Sequence, residues 1–537
     1  MIKVKKLTYF WLLLGLSLLW VTVSYGWTNQ GVKSWAGKLT GSRHWQLPDT
    51  ANGLKPTQSW HATGSAPNGD IYIGGMDHFT NSALYRLEPG KNTLRYVGDA
   101  RSASLAASNW KSGETAQKFH TRPHWYQGKV YVATMDRSDL NDEYLSSRGF
   151  HWYAYDPIQD KFSDLSVSEP DGVGAKHVSI VTIASDPKLN VLYGAAVPTA
   201  DIYKYDVAKG RTENLGRPAA YDQKYPYTGR LMWVDSRSRL YFSTGNLSWG
   251  GYDQSIYGHI YYYDPKSGFG EMKNWKLQEP RAIELGQCLP HRQQCFFSDD
   301  RARIYRFDDN GPSWFYVGQA KTVPAEIFSL NVSADGKKAY FVTSSLGPIP
   351  PDPKNPNLIY EFDLITKSTR KLCSLAELDP QLANFNANTG YDTWDNNGRF
   401  YFSSFSRAEE TLQKRNQNVI VTQIDPVRLK VRLGLLPSLT EVSVHKSPEP
   451  AKPGFVFTRI GSMAIAQEVL YKLTVTKTNG SMQERYGKTT IPAKIASITV
   501  PLQQLQAVTP NTIKGGVLSV IPNGNDYVVG AKQSIAF

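Results

Sequence analysis

The chain has 537 residues, 41% of them hydrophobic and 12% aromatic, and is too long for one ordinary compact domain. Its formal charge of +13 suits an acidic partner or a generally basic proteome, and no helix-turn-helix, finger or RNP-like motif points to nucleic acid. Three cysteines are too few for a disulfide framework.

The amino terminus has the pattern of an export segment. Three lysines within the first six residues precede an uncharged run over 7–25 that is rich in Leu, Trp and Val. Ser24 and Gly26 supply small residues for cleavage after Gly26, while the run is nearly long enough to remain as a membrane anchor. We predict that 1–27 is a signal peptide or anchor. The rest is then periplasmic, on the outer surface or secreted, and meets a membrane only through this segment.

A strand pattern recurs seven times between about residues 50 and 437. Each unit has a second strand with a central aromatic residue, at 70–75, 129–134, 190–195, 239–244, 294–299, 338–343 and 399–404. A later strand usually ends in an aromatic residue and an aspartate, as at 151–157, 201–206, 259–265, 303–308 and 358–363. Such repeats are typical of a β-propeller with one four-stranded sheet per blade. We predict an all-β chain with a seven-bladed propeller over 50–437.

The segment 28–49 is polar and irregular, and we interpret it as a tether. As an alternative, the polar segment before His61 pairs with the last blade and closes the ring.

After Pro437 the repeat stops and short alternating strands follow, which predicts a β-sandwich over 440–537. The order of strands at 454–459, 470–475 and 498–500 resembles the Calx-β type of sandwich. Because the acidic clusters of calcium-binding members are missing, the resemblance implies the fold and not a calcium site.

Cys288 and Cys295 flank the turn between the first two strands of the fifth blade. This spacing favours a hairpin disulfide in an oxidising compartment. His291 lies between them, so a metal site is the alternative, although it lacks a clear fourth ligand. Cys373 is expected to be a lone buried thiol.

Two inserts interrupt the blades. The proline-rich stretch 347–353 is predicted to be a loop on one face of blade six. The glycine-rich insert 245–258 carries Trp249, Tyr252 and Tyr257. Aromatic residues on such a loop either contact a ligand or pack on one another.

Three polar residues share one position in the repeat. Each stands eleven residues before the central aromatic residue of a second strand: His61, His120 and Arg230. This offset places them at one level on the inner strands of blades one, two and four. Further polar residues on predicted inner strands are His177, Arg122 and His124. The set forms either a site or the polar lining of a water-filled channel.

These residue types suit β-elimination from a uronic-acid polysaccharide. A histidine or tyrosine can remove a carbon-bound proton, and an arginine can hold the carboxylate and stabilise the enolate charge. The candidate catalytic residues are His120, His177, Tyr227 and Arg230. The candidate substrate-binding residues are His61, Arg122, His124, Trp249 and Tyr252.

The motifs at 118–122, 128–134, 192–194 and 203–206 resemble exported bacterial seven-bladed propeller proteins, among them the ulvan- and oligogalacturonate-type polysaccharide lyases. In the ulvan group a pair of histidines, a tyrosine and an arginine carry out the reaction, which implies the same types of role here. The histidine-rich metal cluster of the oligogalacturonate group has no counterpart, so no metal is expected.

The chain has no P-loop, Rossmann fingerprint, H-E-x-x-H or C-x-x-C-H motif, and no cofactor is expected. We expect an exported propeller that acts on or binds an acidic polysaccharide or other anionic ligand. The alternatives are a lyase and a non-catalytic scaffold that binds glycan or protein. Convergence of the histidines and arginine in an open cleft would favour the enzyme, and a channel filled by bulky side chains would favour the binder.

Overall fold

The computed structural model describes residues 33–50, 52–77, 79–135, 147–218, 228–245, 258–279, 281–320, 326–344, 357–406, 419–448, 454–501, 513–530 and 533–537. Within these ranges most residues lie in β-strands, which form seven blades and a C-terminal pair of sheets. The predicted fold class is confirmed. The predicted export segment lies outside the described residues.

The first strands are β1 (Ser34–Ala36) and β2 (Ser42–Gln46). Blade one contains, from the axis outwards, β3 (Thr63–Ser65), β4 (Ile71–Met76), β5 (Ser82–Glu88) and β6 (Thr93–Asp99). Blade two contains β7 (Lys118–Phe119), β8 (His124–Tyr126), β9 (Lys129–Met135), β10 (Trp152–Asp156) and β11 (Lys161–Asp164), with β7 and β8 sharing the inner position. Blade three contains β12 (Ser179–Asp186), β13 (Val191–Val197), β14 (Ile202–Asp206) and β15 (Arg211–Gly216).

Blades four to seven repeat the arrangement. Blade four contains β16 (Thr228–Val234), β17 (Leu240–Thr244), β18 (His259–Asp264) and β19 (Gly268–Lys276). Blade five contains β20 (Leu285–Leu289), β21 (Gln294–Ser298), β22 (Arg303–Asp308) and β23 (Ser313–Gln319). Blade six contains β24 (Glu326–Ile327), β25 (Ser329–Val332), β26 (Lys338–Ser344), β27 (Leu358–Asp363) and β28 (Thr369–Ser374). Blade seven contains β29 (Phe385–Tyr391), β30 (Phe400–Ser406) and β31 (Val419–Ile424).

The repeated aspartates explain the sharp turns after the third strands. The side chains of Asp156, Asp206, Asp264 and Asp363 each accept a hydrogen bond from the backbone N–H two residues further on. Aspartate suits this position because its short side chain can satisfy the turn's own backbone. The aromatic part of the motif faces inwards, and Tyr72, Tyr241 and Tyr340 are almost fully buried between blades.

The ring is closed by the amino-terminal strand. β2 pairs antiparallel with β31, from Ser42 opposite Ile424 to Gln46 opposite Ile420, and becomes the fourth strand of blade seven. β1 adds a further edge strand beyond it. Trp45 is buried in this sheet, so part of the segment expected to be a tether belongs to the propeller. The pairing of β2 with β31 matches the alternative prediction, in which the polar segment before His61 pairs with the last blade and closes the ring.

Short helices connect the sheets. They are α1 (Ala100–Ala106), α2 (Leu375–Leu378) and α3 (Pro426–Arg432), with 3-10 turns at Ser166–Ser168, Pro290–Arg292 and Pro380–Leu382. Asp425 begins α3 by accepting hydrogen bonds from Val427 N and Arg428 N, which is the usual role of an N-cap aspartate. Among the described residues, none of the helices has the length and apolar character needed to cross a membrane.

The C-terminal domain consists of two four-stranded sheets. Their strands are β32 (Glu441–Lys446), β33 (Gly454–Ile460), β34 (Gln467–Lys477), β35 (Met482–Ile491), β36 (Ser497–Pro501), β37 (Ile513–Ile521), β38 (Val528–Val529) and β39 (Ser534–Ala536). One sheet has the order β36-β33-β32-β38 and the other β35-β34-β37-β39. Their facing side chains form one apolar core that includes Val444, Phe457, Leu473 and Leu518.

The sandwich is attached to the propeller by a buried ionic network. Lys430 on α3 donates to Glu361 Oε2 at 2.9 Å and to the hydroxyl of Tyr340 and Asn525 Oδ1, both at 3.0 Å. Asn525 belongs to the sandwich and donates in turn to Asp335 Oδ2 at 3.0 Å. Lys430 and Glu361 are both nearly inaccessible to solvent. A buried ion pair of this kind fixes the relative position of the groups that complete it.

We expect Lys430→Met to lower the free energy of unfolding by about 3 kcal/mol, because buried Glu361 would lose its nearest cation, at 2.9 Å, and keep only Lys338 at 3.6 Å. Urea denaturation followed by circular dichroism measures the change. Lys91→Met is the matched control, since Lys91 is an exposed lysine that pairs with Glu88 at a surface turn. Equal stability of the Lys430 and Lys91 variants would show that the network does not hold the domains.

A second buried network lies within blade two. His151 contacts Glu114 Oε1 through Nε2 at 2.8 Å and Asp164 Oδ2 through Nδ1 at 3.0 Å. Burial alone would lower the pKa of His151, but its hydrogen bonds to the two carboxylates raise it to about 9. Both ring nitrogens therefore carry protons at neutral pH, and His151 is a buried imidazolium between two carboxylates.

This network predicts a pH dependence of stability. The pKa of His151 is higher in the folded than in the unfolded protein, so its contribution is complete below about pH 6.5 and is lost as the pH rises through about 9. A shift of this size corresponds to about 3 kcal/mol. The free energy of unfolding between pH 6 and 10 measures it, and His151→Gln should flatten the decline. An unchanged pH profile in that variant would contradict the assignment.

Candidate functional site

The polar residues of the inner strands meet at one end of the propeller. We call this end the upper face; it carries the connections between blades and between second and third strands. We define the axial cluster as His61, His120, Arg230, Glu284 and Tyr391, from blades one, two, four, five and seven. All five are buried, with 0–5% of each residue accessible to solvent. The shared offset of the first three in sequence thus corresponds to a shared place in space.

His61 is the centre of this cluster. Arg230 Nη1 donates to His61 Nε2 at 2.8 Å and to Glu284 Oε2 at 3.1 Å. Because a guanidinium only donates, His61 Nε2 accepts and the ring proton lies on Nδ1. Burial, the charge of Arg230 and the neighbouring His120 all lower the pKa of His61 well below its ordinary value, so the ring is neutral. Its buried Nδ1–H has no hydrogen-bond partner in the described structure.

The backbone of His61 adds a second unusual feature. Its φ is 52°, a left-handed conformation that few residues with a Cβ adopt. Strained backbone of this kind persists where surrounding contacts enforce it, and it is concentrated at functional sites.

His120 stacks on His61, with ring centroids 5.0 Å apart and planes inclined by 21°. Its Nδ1 lies 3.2 Å from the carbonyl oxygen of Val181 in blade three. A carbonyl only accepts, so Nδ1 carries the proton and Nε2 of the neutral ring carries the lone pair. The stacked pair therefore combines a potential donor on His61 with a potential base on His120.

Carboxylates balance the charge beside the cluster. Arg281 donates to Asp300 Oδ2 at 3.0 Å. Burial and the nearby charge of Glu284 raise the pKa of Asp300 to about 8, and burial also raises the pKa of Glu326. Burial and Glu284 thus oppose the ionised form of Asp300, while Arg281 favours it. Close carboxylates share protons when their charges cannot all be hydrated.

Side chains cross the channel below the stacked histidines. Arg122 donates to Asp392 Oδ2 at 2.7 Å and to its carbonyl oxygen at 2.9 Å, which connects blade two to blade seven. The Arg122 guanidinium also lies 5.6 Å from the centre of the Tyr391 ring. Burial raises the pKa of Tyr391 to about 12, so the phenol is neutral. At this level the channel is filled by interacting side chains.

Several predicted site residues lie elsewhere. His177 is exposed, with Nδ1 2.8 Å from the carbonyl oxygen of Ser147, and it does not share a cleft with His120. His61, a candidate substrate-binding residue, is fully buried. His124 contacts Ser185 Oγ at 2.8 Å, and burial, with Arg122, lowers its pKa to about 3. Tyr227, Trp249 and Tyr252 lie outside the described residues.

Two members of the cluster do not have the eleven-residue spacing to the aromatic residue of the second strand. Glu284 stands twelve residues before Phe296, and Tyr391 stands ten residues before Tyr401. A tolerance of one residue around the eleven-residue offset would have found both.

The paired cysteines form a disulfide in the structure. Cys288 and Cys295 lie directly opposite each other on β20 and β21 and are bonded. His291 Nε2 lies 2.6 Å from the carbonyl oxygen of Ala334, away from any metal-binding arrangement with them. Cys373 is a buried free thiol. Within the described ranges, no group of three or more His, Cys, Asp or Glu side chains has the geometry of a metal site.

Neither a family model nor a curated protein matches the chain. Solved structures similar to it include the WD40 repeats of RRP9, with 9% identity over 73% of this chain and 100% of that one and a TM-score of 0.44. A fungal alcohol oxidase of the AA5 family in complex with copper has 8% identity over 94% and 99% of the two chains, with a TM-score of 0.46. An oligogalacturonate lyase from Vibrio parahaemolyticus has 12% identity over 74% and 97%, with a TM-score of 0.41. These likenesses concern the fold alone.

The pairing of Arg230 with Glu284 makes a prediction about stability. Arg230→Met should lower the free energy of unfolding by about 3–5 kcal/mol, because buried Glu284 would lose the guanidinium that contacts it at 3.1 Å. Adding Glu284→Gln to this variant should restore much of the loss. A double-mutant cycle by urea denaturation measures the coupling. Additive effects of the two substitutions would show that the pair is not coupled.

Proposed function

We propose that this protein is an exported propeller that binds an acidic polysaccharide on its upper face, with the axial cluster as the polar centre of the site. The observation that carries the proposal is His61, a neutral histidine with a strained backbone. Its buried Nδ1–H has no partner among the described residues, while Arg230 donates to its Nε2. A buried donor left without an acceptor is costly, and a ligand oxygen would satisfy it.

The anionic character of the ligand follows from the charge behind His61. Arg230 withdraws electron density through Nε2 and makes Nδ1–H a stronger donor, as expected for a chain of polarised hydrogen bonds. A carboxylate or sulfate oxygen is the acceptor that gains most from such a donor. The formal charge of +13 would also attract a polyanion over longer distances.

Export is part of the proposal. The basic start and uncharged run of 1–27 support delivery across a membrane, and the Cys288–Cys295 disulfide suits an oxidising compartment. Extracellular and periplasmic spaces are where acidic polysaccharides are encountered.

The proposal predicts that His61→Phe weakens binding of a polyuronate at least tenfold, because it removes a hydrogen bond to a charged group. Isothermal titration of residues 28–537 with hexameric oligogalacturonate measures the affinity. His177→Phe is the matched control, since His177 also has a positive φ, 58°, but is exposed and lies outside the cluster. Equal affinity of the two variants would show that His61 does not contact the ligand.

A second candidate function is a β-eliminating lyase, which the arrangement of His120 favours. Nε2 of His120 would take the proton on the carbon next to the carboxylate. The electrons of that C–H bond would form a carbon–carbon double bond as the glycosidic oxygen leaves and takes a proton. His61 and Arg230 would stabilise the enolate. The filled channel and the pairing of Arg230 with Glu284 favour the binder instead.

Absorbance of the unsaturated product, measured with a panel of acidic polysaccharides, decides between the two functions. For a lyase, His120→Gln should reduce turnover by at least a hundredfold and change affinity less than threefold, because proton removal is felt only in the transition state. His124→Gln serves as the control on the same blade. If no polysaccharide gives a product and binding is retained, the protein is a binder and not a lyase.

A further inference from the structure

A groove of about 700 Å³ lies on the outer part of blade one, away from the axial cluster. Three segments form its walls: residues 52–57 before β3, residues 77 and 79–81 between β4 and β5, and one side of α1. We call it the blade-one groove. Its volume is in the range of cavities that bind small ligands.

The groove opens on the same face as the axial cluster. Gln58 pairs with Met76 at the end of β4, and Ala83 pairs with Asp99 at the end of β6, so all three walls lie at the upper end of this blade. The chain then continues directly from the first wall to His61. One extended ligand could therefore contact both places.

A buried carboxylate holds the three walls together. Asp99 accepts hydrogen bonds from Asn52 Nδ2 at 3.0 Å, from Asn81 Nδ2 at 2.8 Å and from Ser102 N at 2.8 Å. Each donor comes from a different wall, and Asp99 itself is inaccessible to solvent. The shape of the groove is therefore set before any ligand binds, which reduces the entropic cost of binding.

Two positively charged side chains line the groove. Lys55 and Arg101 both line it and both are exposed. Neither forms an ion pair with any residue that the structure describes. Asp77, the acidic residue on the lining, accepts hydrogen bonds from Phe79 N and Thr80 N within its own turn. The charged side chains that line the groove are thus two cations and one carboxylate, which gives the lining a net positive charge.

Apolar surface accompanies these charges. Phe79 and Leu105 are exposed at 37% and 53% on opposite walls. An aromatic face beside hydrogen-bonding amides and cations matches a sugar ring, which has apolar C–H faces and a polar edge. A carboxylate or sulfate on that ring would pair with Arg101 and Lys55.

We propose that the blade-one groove is a second binding site for an anionic sugar unit of the same polysaccharide whose other unit occupies the axial cluster. This inference rests on the proposed function for the identity of the polymer. The geometry of the groove carries the site itself. Carboxylated and sulfated sugars share the chemistry that the groove recognises, and the choice of probe separates them.

The test compares binding of hexameric oligogalacturonate, a sulfated oligosaccharide of the same length and the carboxyl-reduced hexamer to residues 28–537. Arg101→Gln and Lys55→Gln should each weaken binding of the preferred anionic hexamer about tenfold, and both together at least thirtyfold. The carboxyl-reduced hexamer should bind weakly to every variant. Lys91→Gln is the matched control, because Lys91 is an exposed lysine at the opposite end of the same blade.

Hydrogen exchange provides a readout that does not depend on affinity. Saturating hexamer should protect backbone amides at 79–81 and 101–105 in the wild type. The groove proposal is overturned if the double variant binds as tightly as the wild type, if these amides gain no protection, or if none of the anionic hexamers binds.

The two proposals can fail separately. If the Lys55/Arg101 variant loses binding and His61→Phe does not, the groove proposal stands and the axial cluster is not a ligand site. If His61→Phe loses binding and the Lys55/Arg101 variant does not, the axial cluster is a ligand site and the groove proposal is wrong.

Discussion

The pairing of β2 with β31 is the constraint on which the rest of the structure depends. A propeller brings its inner strands together only while the ring is closed, and here the strand that closes it comes from the other end of the sequence. Residues of the axial cluster are up to 330 positions apart, as His61 and Tyr391 are, yet their rings lie 6.0 Å apart. The loop-closure entropy of such contacts must be offset by extensive sheet pairing and burial between blades.

Burial of the polar groups on the propeller axis is costly in free energy. Charged groups in the channel lose hydration, and most of them recover stability through specific partners: Arg230 with Glu284, Arg122 with Asp392 and Arg281 with Asp300. His61 combines two features: its buried Nδ1–H has no acceptor among the described residues, and its backbone is strained. A buried donor without an acceptor, held in a strained conformation, is the physical reason to place a ligand there.

The sandwich and the two proposed ligand sites lie at opposite ends of the propeller. The turns that contact the sandwich include Asp335 and His291 between first and second strands, with Tyr486 of the sandwich packed on the ring of His291. Because Lys430 and Asn525 connect the domains through a buried network, the sandwich holds a defined position on blades five to seven. The axial cluster and the blade-one groove both lie at the upper end, clear of these contacts.

The sequence by itself determined the architecture, because its signals are local. Aromatic residues at the centre of second strands and aspartates such as Asp206 and Asp363 at the ends of third strands report burial and turn chemistry within a few residues. The offset of His61, His120 and Arg230 also predicted correctly that they share one level. The cysteine spacing favoured the bonded pair over a metal site for the same local reason.

Only the tertiary structure decided which of the polar residues meet. His177 has the right residue type but stands sixteen residues before Tyr193 instead of eleven, and its left-handed backbone and its contact with Ser147 place it outside the cluster. Glu284 and Tyr391 join it although their spacing to the aromatic residue of the second strand is twelve and ten residues, since this spacing varies from blade to blade. The closing strand and the blade-one groove depend on contacts between distant segments, and local patterns carry no information about those.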